Sequence, residues 1–325
     1  MKFKIEKLTV LMTTYNCADF IRSAIKSVLN QIHSNFEFLI IDDGSEDGSS
    51  KIVSEFKDER INFISIEHSG RSRALNYGLK RAKYDWIALI DSDDIWHTLK
   101  LEKQIQEIKS PKDLIFTNIV YFINKKPVYF SDKIENDRQL FNKLLIHGHI
   151  APSSVLFNRN EILKYSGFDE SLPNSEDYDL WLRLILDFKF KCVNEYLTYL
   201  KIRNDSLSRT NIKLTNTVIH KIQEKHFPQI LEQLSKDKNL NINEIKGWSE
   251  FFYGDKKLAR KELRKLGVKL IINPKIIIAY ILSFLHEKYL TKILELRIRY
   301  RVKFFLNKFL LKSDYIQREF ENSIL

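Results

Sequence analysis

The sequence predicts an α/β fold: a mostly parallel sheet flanked by helices and followed by an all-helical extension. Three observations carry that expectation. Strand-like and helix-like patterns alternate through the first 130 residues. Trp86–Ile90 is a short apolar run that stops abruptly at Asp91-Ser92-Asp93-Asp94, and carboxylates at the end of a buried strand lie where open α/β sheets hold ligands. Beyond residue 205 the strand signals disappear and helical periodicity takes over.

In chain order, Leu8–Met12 is a β-rich run. Asp19–Gln31 places Phe20, Ile21, Ala24, Ile25, Val28 and Leu29 at helical spacing. Phe36–Ile41 reads as a second strand, Ser49–Phe56 as a helix, Ile61–Ile66 as a third strand and Ser72–Ala82 as a helix before the strand Trp86–Ile90. Units of this length imply parallel pairing with both sheet faces covered. Residues 113–123 and 125–130 read as strands around a Lys-Lys-Pro turn, 137–146 as a helix and Ala151–Asn158 as a strand. Glu161–Tyr165 starts a short helix and Asp177–Leu186 is an amphipathic one, while Trp248–Leu266 followed by Pro274 has the pattern of a helix pair. No Pro/Gly/Ser-rich linker precedes the helical part, so it is expected to pack on the first domain.

Hydrophobic residues make up 44% of the 325, enough for a packed core. Cys17 and Cys192 stand far apart without ligand spacing, so neither a disulfide framework nor a zinc site is expected, which fits a reducing compartment. The start, Met1 to Lys7, leads into an apolar run too short for a signal peptide. A cytoplasmic location is the expectation. The net charge of +11 is uneven: residues 1–200 hold 27 Lys and Arg against 29 Asp and Glu, and residues 201–325 hold 26 against 13. Two units follow, 1–205 and a basic helical 206–325.

Chemistry-bearing residues cluster at strand ends. Thr13-Thr14-Tyr15-Asn16 closes the first strand with hydroxyls, an aromatic face and an amide; such a turn suits a base and ribose beside a helix N-terminus or an ordinary N-cap. Asp42-Asp43-Gly44-Ser45 closes the second strand, where a carboxylate could accept from a pyrimidine N–H or cap a turn. Asp91, Asp93 and Asp94 repel one another unless a cation or donors compensate, and hard oxygens suit Mg²⁺ or Mn²⁺ carrying phosphates. No GxGxxG follows the first strand and no GxxxxGK[ST] occurs. A dinucleotide-binding turn and a P-loop are therefore not supported.

The blocks T-x-Y-N (Thr13–Asn16), DDGS (Asp42–Ser45), G-x-x-x-A-x-N-x-G-L (Gly70–Leu79), DSDD (Asp91–Asp94) and ED-x-D-L-W (Glu176–Trp181), with Gly167-Phe168-Asp169-Glu170 before the last, resemble the inverting family 2 glycosyltransferases of GT-A fold, a Rossmann-like architecture. The resemblance spans residues 7–205. It implies nucleoside contacts from Thr13, Tyr15 and Asp43 to a UDP-linked donor, with Asn16 in the same nucleotide-sugar site. It implies Asp93 as the ligand of Mn²⁺ or Mg²⁺, with Asp91 nearer the ribose or donor sugar and Asp94 at donor or acceptor. Arg71 and Glu176 are assigned to the nucleotide-sugar site, and Asp177 matches the general base. This chain departs from many relatives in reading Ala74-Leu75-Asn76 where Ala-Arg-Asn is common, and Arg71 and Arg73 are the nearby cations that could serve the diphosphate.

These residue types suit the implied reaction. A divalent cation stabilises charge on the departing diphosphate, and a carboxylate takes the proton of the attacking hydroxyl. A helix N-cap is the plainer role for the Asp177 region. Lys and Arg number eight against two Asp and Glu over His286–Lys312, interleaved with aromatic and aliphatic residues. That face, with the apolar run Ile276–Leu285, suits the inner surface of the plasma membrane, a snorkelling helical subdomain or a second copy. The expected acceptor is a glycan or a polyprenol-linked saccharide, and nucleic acid is not expected. A sugar nucleotidyltransferase would need a Gly-rich basic N-terminal loop, which is lacking. The other alternative is a catalytically inactive relative acting as a scaffold for glycan assembly.

Overall fold

The computed structural model describes residues 5–123, 126–147, 150–203, 211–234, 242–254 and 256–266. The N-terminal half builds β1 (Leu8–Thr14), α1 (Ala18–Leu29), β2 (Phe36–Asp42), α2 (Ser49–Ser54), β3 (Ile61–Ser65), α3 (Arg71–Arg81) and β4 (Trp86–Asp91). Next come β5 (Ile95–Trp96), α4 (Lys100–Gln106), β6 (Asp113–Ile123), β7 (Lys126–Phe130) and α5 (Asp137–His147). A single 3₁₀ turn (Pro152–Ser154), β8 (Val155–Asn158), α6 (Arg159–Leu163), α7 (Glu176–Leu184) and β9 (Lys189–Lys201) complete the α/β part. Three helices follow: α8 (Ile212–Leu234), α9 (Ile242–Phe252) and α10 (Lys256–Arg264).

The nine strands form one sheet in the order β3-β2-β1-β4-β8-β6-β9-β5, with β7 on β6. β1 to β4 pair in parallel and β8 runs antiparallel to both β4 and β6. Alternation along β1, β2 and β4 sets the two layers. Leu11, Leu39, Ile41, Ile87 and Leu89 face one core with Leu75, Leu180 and Trp181, while Val10, Met12, Phe38, Ile40, Ala88 and Ile90 face the other with Ile21, Ile25 and Leu101. Gly78 on α3 lets that helix approach β1, because a Cβ there would meet Leu11 Cδ1 at 2.4 Å.

The expected strands and helices of the first 90 residues are present with shifted ends. β9 was not anticipated, because Lys189, Lys191, Asn194, Glu195 and Lys201 break its apolar pattern. Its pairing with β6 also slips at Thr117/Asn118 and Asn118/Ile119. β5 and α4 were likewise not anticipated. Residues 151–154 of the expected strand Ala151–Asn158 lie ahead of β8, which opens at Val155 after Pro152 sets the 3₁₀ turn. Val218, Ile222, Phe227, Ile230 and Leu231 of α8 and Ile245 of α9 belong to the same core as α7 and α3, so α8 and α9 sit on the α/β layers, and α10 packs on α9. Among the described residues no helix is long and apolar enough to cross a membrane. The segments 276–285 and 286–312, assigned above to a membrane face, lie outside the described residues.

Candidate functional site

The carboxyl ends of β1, β2 and β4 open into a cleft of about 1090 Å³. Thr13, Thr14, Tyr15, Asn16, Asp43, Arg71, Asp91, Asp93, Glu176 and Asp177 all line it. Nine of the ten residues named above for catalysis, nucleotide-sugar or metal binding are thus brought together. The exception is Asp94. It is 5% exposed and lies behind the cleft wall, accepting hydrogen bonds from Ser153 Oγ at 2.5 Å and the Lys201 N–H at 3.1 Å. Burial, then the charges of Asp93 and Asp91, push its carboxyl well up. Ser153 Oγ in turn accepts the Asp91 N–H at 2.9 Å, so Asp94 braces the strand end from beneath.

One side of the cleft is made by three turns tied together. Asn16, at a left-handed φ of 48°, accepts the Glu46 N–H on its side-chain oxygen at 2.8 Å, and its own N–H donates to Ser45 Oγ at 2.9 Å. Its amide therefore links the β1–α1 and β2–α2 turns. Asp43 accepts from the Ser69 N–H (2.8 Å), Ser69 Oγ (3.1 Å) and the Gly70 N–H (2.9 Å), clamping the loop before α3. His68 Nδ1 lies 2.9 Å from Asp43 Oδ2, and its ring stacks on Tyr15 with centroids 4.1 Å apart at 20°. Gly44 fits beside them at φ 75°, where a Cβ would come within 2.9 Å of the His68 backbone nitrogen. An aromatic face half open to solvent beside a buried carboxylate is a surface on which a planar base can lie. His68 was not identified from sequence, since a lone His in a polar loop gives no signal.

The neighbouring wall of the cleft is electrostatic. Arg71, the first residue of α3, donates to Asp91 Oδ1 at 2.6 Å and to Glu176 Oε1. Burial opposes its charge, but Asp91, Asp177 and Asp93 raise its pKa above the ordinary guanidinium value. Arg203, just after β9, lies 3.4 Å from Asp93 Oδ2 and 4.7 Å over the Phe20 ring; it too escaped the sequence reading. Burial and the neighbouring Asp91 raise the Asp93 carboxyl, against the pull of Arg203. Arg73 instead pairs with Glu170 at 3.2 Å on the exposed side of α3.

Across the cleft, Ser175 takes a left-handed φ of 61° and starts α7 with no side-chain cap bond. Asp177 is thus in the first turn of α7 and is not its cap. Burial raises its carboxyl, Arg71 opposes the rise, and the Asp91 charge adds to it. A carboxylate raised by burial in a cleft and held next to a cation is a candidate for proton exchange. Further along α7, Asp179 is 1% exposed and accepts from Arg183 Nε at 2.8 Å, with His226 Nε2 of α8 at 2.7 Å.

Among the described residues no group of three or more His, Cys, Asp or Glu side chains stands ready to enclose a cation. Asp91 and Asp93 nevertheless both line the cleft, and Asp91 raises the Asp93 carboxyl. Two crowded carboxylates fit an ion such as Mg²⁺ or Mn²⁺ that takes its remaining ligands from substrate phosphates and water.

The glycosyl transferase family 2 profile matches residues 9–165. The Escherichia coli enzyme UDP-Glc:alpha-D-GlcNAc-diphosphoundecaprenol beta-1,3-glucosyltransferase WfaP is 32% identical over 216 residues, 64% of this chain and 82% of that one. In S. aureus TarS 1-349 in complex with UDP-GlcNAc the fold recurs at TM-score 0.57 and 19% identity, over 85% of this chain and 81% of that one. It recurs at TM-score 0.57 and 14% identity in the Pyrobaculum calidifontis mannosyltransferase PcManGT in complex with GDP-Man and Mn2+, over 89% and 86%. Strand ends that gather their carboxylates into one cleft, a matching profile and these likenesses agree: the chain belongs to glycosyltransferase family 2 and has the GT-A fold.

Proposed function

We propose that the protein transfers a hexose or N-acetylhexosamine from a UDP-sugar to a hydroxyl of a glycan or polyprenol-linked acceptor, with inversion and with Asp177 as general base. The observation that carries this reading is the convergence of Asp91, Asp93 and Asp177 on Arg71 in one cleft. The name of the Escherichia coli relative, a UDP-Glc transferase acting on a diphosphoundecaprenol-linked GlcNAc, supports the donor and acceptor classes.

Tyr15 and Asp43 receive the nucleoside, and Arg71 and Arg203 face the diphosphate. Mn²⁺ or Mg²⁺ held by Asp93, with Asp91 beside it, would add positive charge on the leaving oxygens. Asp177 accepts the proton of the acceptor hydroxyl as its oxygen bonds to the anomeric carbon. The bond from that carbon to the diphosphate oxygen breaks on the opposite face, so the configuration inverts and the electron pair leaves with the nucleoside diphosphate. The Arg71 charge opposes the rise that burial imposes on the Asp177 carboxyl, which favours the deprotonated base.

The test is direct. With Mn²⁺, UDP-glucose or UDP-GlcNAc and a short-prenyl diphosphate-linked GlcNAc, UDP release should depend on acceptor, and proton NMR should show a β-linked product. An α-linked product would reject inversion, and no transfer with any UDP-sugar would favour the scaffold reading.

A further inference from the structure

We infer that Ser153 is a positioning residue for the donor diphosphate: acting through Asp94, it sets Asp93 and Arg203 opposite one another where the phosphates and their cation are held. This rests on the transferase reading of the cleft and adds to it what fixes the phosphate end.

Asp93 and Arg203 face each other across 3.4 Å from stretches of chain that the sheet keeps apart, since β8 and β6 stand between β4 and β9. The short ladder of β5 on β9 brings them close, pairing Ile95 with Tyr199 and Trp96 with Thr198. It ends before either charged residue. Beyond it the register is carried by side chains. Asp94 accepts the Lys201 N–H at 3.1 Å on one carboxylate oxygen and the Ser153 hydroxyl at 2.5 Å on the other. Ser153 Oγ also accepts the Asp91 N–H at 2.9 Å. One hydroxyl thus joins the backbone on one side of Asp93 to the carboxylate on its other side, and that carboxylate holds the chain two residues short of Arg203. The Phe20 ring steadies this end from outside, with Lys201 Nζ 3.5 Å and Arg203 Cζ 4.7 Å from its centroid.

The brace is itself anchored. Ser153 is fully buried and its carbonyl accepts Trp96 Nε1 at 2.7 Å, while the Ser154 carbonyl accepts Gln104 Nε2 of α4 at 2.8 Å. Pro152 fixes the start of the 3₁₀ turn that presents the hydroxyl. Charged groups that meet a ligand need supports locked in this way by packing and hydrogen bonds. Asp91, Asp93 and Arg203 line the cleft and Ser153 lies behind them, so any effect of Ser153 on a ligand passes through them.

Ser153→Ala tests this by ligand-observed NMR titration with uridine, with UDP, and with UDP by calorimetry in the presence of Mn²⁺. Uridine occupies only the Tyr15 and Asp43 end, so its affinity should stay within about twofold of wild type. UDP affinity should fall by about tenfold, as loss of one well-placed charged contact implies. The gain that Mn²⁺ brings should shrink as well, because Asp93 shifts with Arg203. Ser153→Cys fills nearly the same space with a weaker donor and acceptor and should show the same split, so a fold lost in Ser153→Ala leaves the question decided. A role confined to stability would lower the melting temperature and leave the ratio of UDP to uridine affinity as in wild type. An unchanged ratio in the folded variants overturns the positioning role. Failure of wild type to bind UDP instead overturns the transferase reading.

Discussion

The Arg71 guanidinium meets the Asp91 carboxylate at 2.6 Å, joining the start of α3 to the end of β4. The same guanidinium reaches Glu176 on α7. One side chain therefore ties the donor-side strand end to the helix that carries Asp177, and four carboxylates share its charge.

Removing that charge should change catalysis in a particular direction. Burial raises Asp177 and Arg71 holds it down, so in Arg71→Met the Asp177 carboxyl rises further. A base must be deprotonated to act, so the ascending limb of kcat/KM against pH moves to higher pH. The maximum rate should fall by about a hundredfold, as for other lost charge-stabilising groups. Arg71→Lys should restore part of both effects. A pH profile that keeps its ascending limb in Arg71→Met would separate Asp177 from the proton transfer.

Asp177→Asn keeps the shape of the first turn of α7 and removes only proton acceptance. Transfer should fall by roughly 10²–10⁴-fold, the usual contribution of general base catalysis. UDP-sugar affinity by calorimetry should stay within about threefold of wild type, because the base contributes little to ground-state binding. Near-normal turnover would remove Asp177 from the mechanism.

Asp93 reports on metal use. In wild type, adding Mn²⁺ should tighten UDP binding and EDTA should reverse it, because a hard cation links carboxylate to phosphate. Asp93→Ala should bind UDP equally with and without Mn²⁺, at about the affinity of the chelated wild type. A Mn²⁺ effect that survives the substitution would place the cation elsewhere.

How legible the site is depends on what each residue touches. β1, β2 and β4 are mostly apolar runs with polar ends, interrupted only by Thr9 and Glu37, so composition locates both the strand and the cleft it opens into. β9 carries five charged or amide residues on a bulged strand, so its pattern fits no single period, and Arg203 just past it was invisible. Asp91, Asp93 and Asp94 look alike in sequence. Only the turn closed by the Asp94 N–H on the Asp91 carbonyl sends Asp94 towards Ser153 and away from the cleft. Thr215 and Ile219 are ordinary members of a helix until tertiary packing brings them into the cleft that Asp177 also lines.

Gly44 links a backbone requirement to ligand binding. At φ 75° a side chain is strained, and its Cβ would press the His68 backbone nitrogen at 2.9 Å. Gly44→Ala should therefore cost about 1–3 kcal/mol of stability. It should also push the 68–70 loop off Asp43 and separate His68 from Tyr15. UDP affinity should drop by about tenfold, equivalent to roughly 1.4 kcal/mol. An alanine variant with wild-type UDP affinity would show that the base does not rest on this loop.

Asp179 tests how firmly α8 holds α7. Burial works against its charge, yet the His226 hydrogen bond and the Arg183 ion pair outweigh burial and hold its carboxyl below the ordinary value. Arg183 shares its helix, His226 and Lys225 face it from α8, and Asp169 adds an opposing negative charge from the loop before α7. Because the folded pKa is depressed, the unfolded chain binds the proton more readily. The charge-dependent stability is fully present above the unfolded value of about 3.9 and is lost as pH falls through the folded value. Asp179→Asn should cost about 3 kcal/mol at neutral pH, the lower end for breaking a buried ion pair. In urea titrations that gap should close as the pH drops below about 3.9. A gap that persists undiminished down to acid pH would mean that packing, and not the Asp179 charge, fastens the two helices.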